Sequence, residues 1–250
     1  MTTLALISDL HIGAPVKGVD LPAEQAQADA YQAITNMKVA VLNSGADAVL
    51  CAGDIFDRHN PSPQALQTAE DLFASFADAH LPAALIGGNH DAESPLPARL
   101  RLPGSAQWIG QGELGRSGPG TLVWEQFGIA IHGQSVRRRN ETQDLASGYP
   151  RPVKGMWNLG LLHTSLTGYW SHRDCAPTTL ETLEASCYDC WVLGHVHRPM
   201  VVETHPLIAY PGSVHLHRTG EPGGEGFALL HLTNQDVPQV EFYHVWTSDT

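Results

Sequence analysis

The chain has 250 residues, enough to bury a full core in one large α/β domain, and we expect a single domain over 1–250. A hydrophobic content of 42%, with glycine and proline scattered along the chain, excludes a disordered or fibrous protein. The formal charge of -12, from 14 Lys+Arg against 26 Asp+Glu, excludes a protein that holds nucleic acid by charge alone. Acids in excess together with 14 histidines are, however, what a metal enzyme needs.

No stretch approaches the length of a membrane span. The start, Met1 to Asp9, has no basic segment, and its apolar run is too short for a signal peptide. The four cysteines, Cys51, Cys175, Cys187 and Cys190, do not make a disulfide framework. Cys187-Tyr188-Asp189-Cys190 has C-x-x-C spacing without a second pair to complete a zinc site, and it reads as a helix-to-strand connection. The expectation is a cytoplasmic protein that does not enter a membrane.

Thr3–Ile7 reads as a buried strand followed at once by Asp9-Leu10-His11. Residues i and i+2 on an extended chain point the same way, so Asp9 and His11 can converge on one ion. Glu24–Ser44 carries Ala26, Ala30, Ile34, Met37 and Val41 at helical spacing, and Gly45 closes it. Ala48–Ala52 is a continuous apolar run that ends abruptly at Gly53-Asp54-Ile55-Phe56-Asp57. A buried strand that delivers an acid at its carboxyl tip is how open α/β sheets build their sites, and this stretch is the centre of the sequence.

Ser62-Pro63 is an N-cap followed by proline at the first helical position, and the helix runs to about His80. Ala83–Ile86 is a third strand, with Gly87-Gly88-Asn89-His90-Asp91 at its tip. The first ninety residues therefore alternate strand and helix with a polar cluster after each strand, the pattern of a parallel sheet with its site at the carboxyl edge. Pro97–Leu102 is at most a short helix; Thr121–Trp124 and Phe127–His132 read as a hairpin. Trp157–Leu162 is a buried strand ending in His163. Thr178-Thr179-Leu180-Glu181 has capping-box spacing, and Asp189–Leu193 is a strand whose tip is Gly194-His195-Val196-His197-Arg198-Pro199. Val201–Thr204, Leu207–Tyr210, Phe227–Leu232 and Val240–Trp246 read as a closing strand meander.

Five strand-like runs thus end in donor chemistry: Asp9/His11, Asp54, Asn89/His90, His163 and His195/His197. Each alone reads equally well as turn chemistry or a packing histidine; their common edge is what points to metal. Carboxylates, imidazoles and an amide oxygen, without thiolate, suit Mn²⁺, Fe or Zn²⁺ over soft metals. Seven donors exceed the needs of one catalytic ion and suit two, provided that one carboxylate bridges. Two ions about 3.5–4 Å apart form the clamp used for in-line displacement at phosphorus.

Asp-x-His, Gly-Asp-x-x-Asp, Gly-Asn-His-Asp, a lone His and Gly-His-x-His, in this order, resemble the signature of the calcineurin-like metallophosphoesterases. They stand here at Asp9–His11, Gly53–Asp57, Gly88–Asp91, His163 and Gly194–His197. Ser8-Asp9-Leu10-His11-Ile12-Gly13, Ala52–Asp57, Leu193–Pro199 and Tyr210-Pro211-Gly212-Ser213 are similar in detail to DNA-repair exonucleases of the SbcD type.

The resemblance implies a four-layer α-β-β-α sandwich of two mixed sheets. It implies two divalent ions, with Mn²⁺ expected and Fe or Zn²⁺ as alternatives. Asp9, His11, Asp54 and His197 would hold the first ion and Asp54, Asn89, His163 and His195 the second, with a hydroxide between the ions attacking phosphorus. It implies that His90 serves the leaving group and that Asp57 orients His90; some repair nucleases place a second catalytic histidine where Asp57 stands. It further implies DNA as substrate and an ATPase partner of the SbcC type, and it allows a homodimer. Longer members of that group continue into a DNA-capping domain and a segment that grips the ATPase, whereas this sequence stops at Thr250.

Three functions compete at this point. The leading one is a phosphodiesterase, a DNA exonuclease of the repair kind. The second keeps the ions but takes a small nucleotide or a phosphoprotein. Gly53-Asp54-x-x-Asp57-Arg58 and Gly88-Asn89-His90 also resemble the Ser/Thr protein phosphatases, which carry Glu where Asp91 stands and lack the closing His-x-His. The third, a binding module on a phosphoesterase scaffold, sits badly with a complete donor set and His90. Histidines 59, 80, 132, 172, 205, 215, 217, 231 and 244 match no ligand motif; most read as surface or packing residues, with His132 and His215 as the ones to line the cleft. Arg58 and Arg198 follow ligand motifs and read either as phosphate contacts or as ion-pair partners. Arg137, Arg138, Arg139, Arg151 and Lys154 are the one concentrated source of positive charge, a contact surface for DNA or a solvated loop.

Overall fold

A computed structural model describes residues 1–18, 20–59, 61–110, 118–166, 174–217, 226–233 and 237–245. Its frame is two six-stranded mixed sheets. β1 (Thr2–Ile7), β2 (Ala48–Cys51), β3 (Ala83–Leu85) and β4 (Ala106–Trp108) run parallel side by side in the first sheet. α1 (Ala23–Asn43) and α2 (Pro63–Asp78) connect them. The second sheet is built on β6 (Ile129–Gln134), β7 (Trp157–His163), β8 (Cys190–Gly194) and β10 (Leu207–Tyr210), also mutually parallel. Antiparallel β5 (Gly120–Trp124) and β9 (Met200–Thr204) close its two edges.

Side-chain alternation sorts the core into layers. Ala5, Ile7, Val49, Cys51 and Leu85 point outward and bury Ile34, Met37, Phe73 and Phe76 of the two long helices. Leu4, Leu6, Leu50 and Ala84 point inward and meet Ile129, Ile131, Leu159, Leu161 and Val192 of the second sheet. The far face of that sheet, with Leu162, Trp191, Leu193, Ile208 and Tyr210, is covered by Leu183 of the six-residue α3 (Leu180–Ala185) and by loop residues such as Leu145 and Tyr188. The fold is therefore the expected α-β-β-α sandwich, with a thin fourth layer.

The local chemistry that marks the helix starts is present as read. Ser62 Oγ accepts from the Ala65 N–H with Pro63 in the first turn, and Thr179 Oγ1 accepts from the Thr182 N–H. One strand went unread, and the hairpin reading needs correction. β4 is a strand of three residues, too short to leave a periodic signal, and no α-helix forms over Pro97–Leu102. The hairpin strands β5 and β6 are joined by a 3₁₀ turn at Glu125–Phe127, so the second begins at Ile129.

The closing strands are not a meander. β9 and β10 pair with each other, but β11 (Gly226–Leu232) crosses to the first sheet and lies antiparallel between β1 and β12 (Gln239–His244). Trp246, read as part of the last strand, lies outside the described residues.

Candidate metal centre

The parallel pairing of β1 and β2 continues past both strand ends. The Asp9 N–H donates to Gly53 O (3.0 Å), the His11 N–H to Asp54 O (2.9 Å) and the Ile12 N–H to Ile55 O (2.9 Å). This ladder carries Asp9, His11 and Asp54 to one edge in left-handed backbone, at φ 51°, 39° and 51°. His195, after β8, stands at φ 93°. A non-glycine residue in that region costs about 1–3 kcal/mol and persists only where its surroundings over-determine it. Here the determinants include close packing of motif glycines. A Cβ on Gly88 would strike Asp54 Oδ1, and one on Gly194 would strike Ala52 O and stand 2.6 Å from His163 Nδ1.

The structure brings Asp9, His11, Asp54, Asn89, His163, His195 and His197 into one cluster. Their donor atoms are close enough to read as two groups. In one, His11 Nε2 is 3.5 Å from Asp54 Oδ2 and 3.9 Å from Asp9 Oδ1, while His197 Nε2 is 3.8 Å from Asp9 Oδ1. In the other, Asn89 Oδ1 is 3.1 Å from His163 Nε2 and 3.0 Å from His195 Nδ1, and His163 Nε2 is 3.4 Å from Asp54 Oδ2. Asp54 Oδ2 faces a histidine from each group. Its other oxygen, Oδ1, accepts from the His90 N–H at 2.7 Å. Adjacent donors on one ion with bonds of about 2.0–2.2 Å stand about 3 Å apart, and the second group is near that spacing.

Electrostatics also favours cations here. Asp9 and Asp54 are buried, and their ion-pair partners among the described residues are histidines. Burial drives Asp54 upward, yet His163 and His90 more than offset it and hold its carboxyl below the usual range. Burial lowers His163, but the Asp54 carboxylate beside it, with Asp9 behind, lifts it to about 9. His163 Nδ1 donates to Ala52 O at 2.9 Å, so a proton on Nε2 would point between Asp54 and Asn89, the place a cation would take. His11 is driven the other way, by burial and then by its histidine neighbours. Both of its ring nitrogens are buried, and neither has a hydrogen-bond partner among the described residues. An orphaned imidazole beside two buried carboxylates fits a metal ligand and has no other evident use.

His90 Nδ1 is 3.0 Å from Asp57 Oδ1, which leaves its other nitrogen outside that contact. The His90 ring packs edge-on to His11 at 4.5 Å, and its side chain is 24% exposed while Asp57 is buried.

Sequence reasoning passed over three contributors. The Asp91 carboxylate accepts from the Gly88, Ile55 and Phe56 N–H groups and so ties the second and third loops together. Burial and then the Asp54 charge push it up to about 7 against those donors. Cys175 Sγ lies within 4.8 Å of donor nitrogens on His163 and His195. His217 stacks among His11, His197 and His215. Cys175 and His217 belong to no sequence motif for donors, whereas Asp91 closes the Gly-Asn-His-Asp motif and was given no role there.

Other assignments change. His132 is far from the cleft's chemistry: it is buried between Thr121 and Asn158 and stacked on Tyr188. His215 lies behind the cluster, its ring nitrogens facing Leu10 O and Leu216 O. His172 lies outside the described residues. Arg58 pairs with Glu93 at 2.8 Å, whereas Arg198 is exposed. The five cations divide. Arg137–Arg139 follow β6 at the site's edge, next to Val136, whose N–H donates to Gly87 O. Arg151 and Lys154 precede β7 at the opposite edge.

Two mixed sheets that converge carboxylates and imidazoles at one edge define a metal-dependent phosphoesterase domain. Residues 2–199 match the calcineurin-like phosphoesterase family, and the chain belongs to it. It is 28% identical over 245 residues to the uncharacterized metallophosphoesterase YhaO of Bacillus subtilis (strain 168), covering 95% of this chain and 59% of the relative. The chain thus spans about three-fifths of that relative's length. Among solved structures, a dimetal phosphatase from Danio rerio superposes with a TM-score of 0.56 at 13% identity, covering 97% of this chain and 99% of that one. The protein TT1561 of Thermus thermophilus superposes at 0.52 and 13%, covering 85% and 89%. These two likenesses concern the fold. Among the described residues, no helix is long and apolar enough to cross a membrane.

Proposed function

We propose that the chain is a two-ion phosphodiesterase that acts on DNA, a nuclease of the repair-exonuclease kind related to the SbcD type, and that it works with Mn²⁺. Asp9, His11, Asp54 and His197 hold one ion in this reading, and Asp54, Asn89, His163 and His195 the other. Bound there, divalent cations supply Lewis acidity toward a phosphoryl oxygen and lower the pKa of a water nucleophile.

The observation that carries the reading is the placement of His90 at the rim of a buried donor cluster. Its Nδ1 side is held by Asp57 at 3.0 Å and its side chain is 24% exposed, so the opposite nitrogen is the one available to an entering ester. An imidazole in that position donates a proton to, or stabilises charge on, a departing alkoxide. Asp57 fixes its tautomer and direction. Asp54 positions the same histidine from behind, through the bond from its backbone N–H. His197, at 21%, and His195 are also partly exposed, so the ester approaches across the rim that these rings share with His90.

Support for DNA is the exposed pair Arg137 and Arg138, with Arg139 beside them, three residues past the end of β6 and next to Val136, whose N–H donates to Gly87 O. Arg138 also faces the buried Glu141 at 3.4 Å, which lessens its share. With a net charge of -12, the domain holds DNA weakly at physiological salt, and an ATPase partner would have to grip the duplex.

The test compares bis-p-nitrophenyl phosphate with p-nitrophenyl phosphate in Mn²⁺, then a DNA duplex at low salt. Preference for the diester and slow cutting of DNA are expected. A clear preference for the monoester would move the reading to a phosphatase of small nucleotides or phosphoproteins.

A further inference from the structure

The Gly212–His217 segment is fixed against the loop that carries His197. The Ser213 N–H donates to His197 O (3.0 Å), and Ser213 Oγ donates to His215 O (3.0 Å). A Cβ on Gly212 would stand 2.8 Å from Pro199 N and 2.9 Å from His197 O, so this close approach needs glycine. Further along, His217 O accepts from the Lys17 N–H at 3.0 Å, which ties the segment's end to the loop after β1.

The result is a third imidazole on the His11 side of the centre. The His217 ring lies 4.2 Å from that of His11 and 4.4 Å from that of His197, with His215 stacked behind it at 4.5 Å. One ring nitrogen from each of His11, His197 and His217 falls within a single 4.8 Å span, and His217 Nε2 is buried. Rings that only fill space have no need to bring their nitrogens to one point. Three ring nitrogens that gather beside two buried carboxylates do so where a cation relieves the crowding, and a hydrogen bond to the Asp9 main chain holds the His217 ring there.

We propose that His217 is a further ligand of the ion held by Asp9, His11, Asp54 and His197. The proposal rests on the two-ion reading above. It makes the two positions chemically unequal: three imidazoles and two carboxylates on one side, two imidazoles, an amide and a shared carboxylate on the other. Imidazole favours Zn²⁺, Fe²⁺ and Co²⁺, whereas carboxylate and carbonyl donors favour Mn²⁺ and Mg²⁺. His217 therefore biases its own position away from Mn²⁺ and leaves the neighbouring position less selective.

The test is calorimetric titration of the chelator-stripped full chain with Co²⁺ and with Mn²⁺, together with the visible absorption of bound Co²⁺. His217→Gln and His217→Ala are compared with the parent, and His231→Gln, a histidine on β11 that faces Thr3, serves as control. The parent should bind two ions. Both His217 variants should keep one position unchanged and weaken the other for Co²⁺ at least about tenfold, the lower end of what loss of a supporting group costs. Mn²⁺ should weaken less, and the Co²⁺ spectrum should change in intensity or position. Unchanged affinities with an unchanged spectrum in either folded variant overturn the proposal. So does equal weakening of both positions in a variant with parental circular dichroism. A parent that binds no ion overturns the two-ion reading itself, and the two failures are thereby told apart.

Discussion

The two sheets deliver their donors to the same edge by different means. The first sheet uses loops: Asp9, His11 and Asp54 all stand beyond the strand ends, in left-handed backbone, held by a ladder of main-chain hydrogen bonds. The second sheet delivers His163 as the last residue of β7, in ordinary strand geometry, with its Nδ1 pinned to Ala52 of the opposite sheet. Strain therefore gathers at Asp9, His11 and Asp54 of the first sheet and recurs in the second only past β8, at His195, whereas His163 stands in unstrained strand geometry. Asp54 is where the two meet, since Oδ2 faces both His11 and His163 at 3.5 and 3.4 Å. A site built this way has its vulnerability at the bridging carboxylate.

The largest expected effect follows directly. Asp54→Asn removes the one charge that both groups share, and calorimetry should show loss of both ions together with loss of diester hydrolysis. If one ion still binds with parental affinity, the carboxylate does not bridge. His90→Gln comes next: both ions should bind as in the parent while turnover falls about 10²–10⁴-fold. Loss of an ion in that variant would place His90 inside the ligand set.

The strand-borne side sharpens the contrast through pH. A histidine with its folded pKa raised to about 9 contributes its full stability below about pH 6.5 and loses it as pH rises through about 9. The metal-free protein should thus lose on the order of 3 kcal/mol between those values, a drop of several degrees in Tm. With Mn²⁺ present the ion replaces the proton, and thermal scans should show that this loss largely disappears. A metal-free protein with a flat Tm from pH 6.5 to 9 would remove His163 from the shared pair.

The smallest effect belongs to the rim. Replacing Arg137, Arg138 and Arg139 with alanine should weaken DNA binding modestly and leave hydrolysis of bis-p-nitrophenyl phosphate unchanged. Up to three neutralised phosphates would give a log–log salt slope of about -0.7 to -0.9 for each. DNA binding and cutting equal to the parent would make the segment a solvated loop.

The strand tips were legible because a short apolar run followed by Gly and then Asp, Asn or His is a local signal, as at Cys51–Asp54 and Ile86–Asn89. His163 was legible without that glycine, as the polar end of a buried strand. β4 was not, since only Ala106 of its three residues is buried and its pairing with β3 supplies the order that its sequence lacks. The return of β11 to β1 was not legible either, because antiparallel register over more than 200 residues leaves no mark near either strand. His217 was missed as a consequence. It reaches His11 only through a segment that leads toward that return, and its position depends on contacts with Lys17 and the His197 loop rather than on spacing.

The placement of β11 also bears on how the chain emerges from the ribosome. Thr2–Ile7 is made well before its partner, and one side of this strand stays bare until Gly226–Leu232 has been synthesised. By then the whole of 2–199, the stretch shared with the family, is already available. Until then the nascent protein carries a continuous apolar strand with an open edge beside the strained loop of Asp9 and His11. Such an edge invites pairing with another chain, and truncation after Pro199 would make the exposure permanent. A shortened version that retains Asp9 to His197 should accordingly be recovered as aggregate rather than as a smaller enzyme.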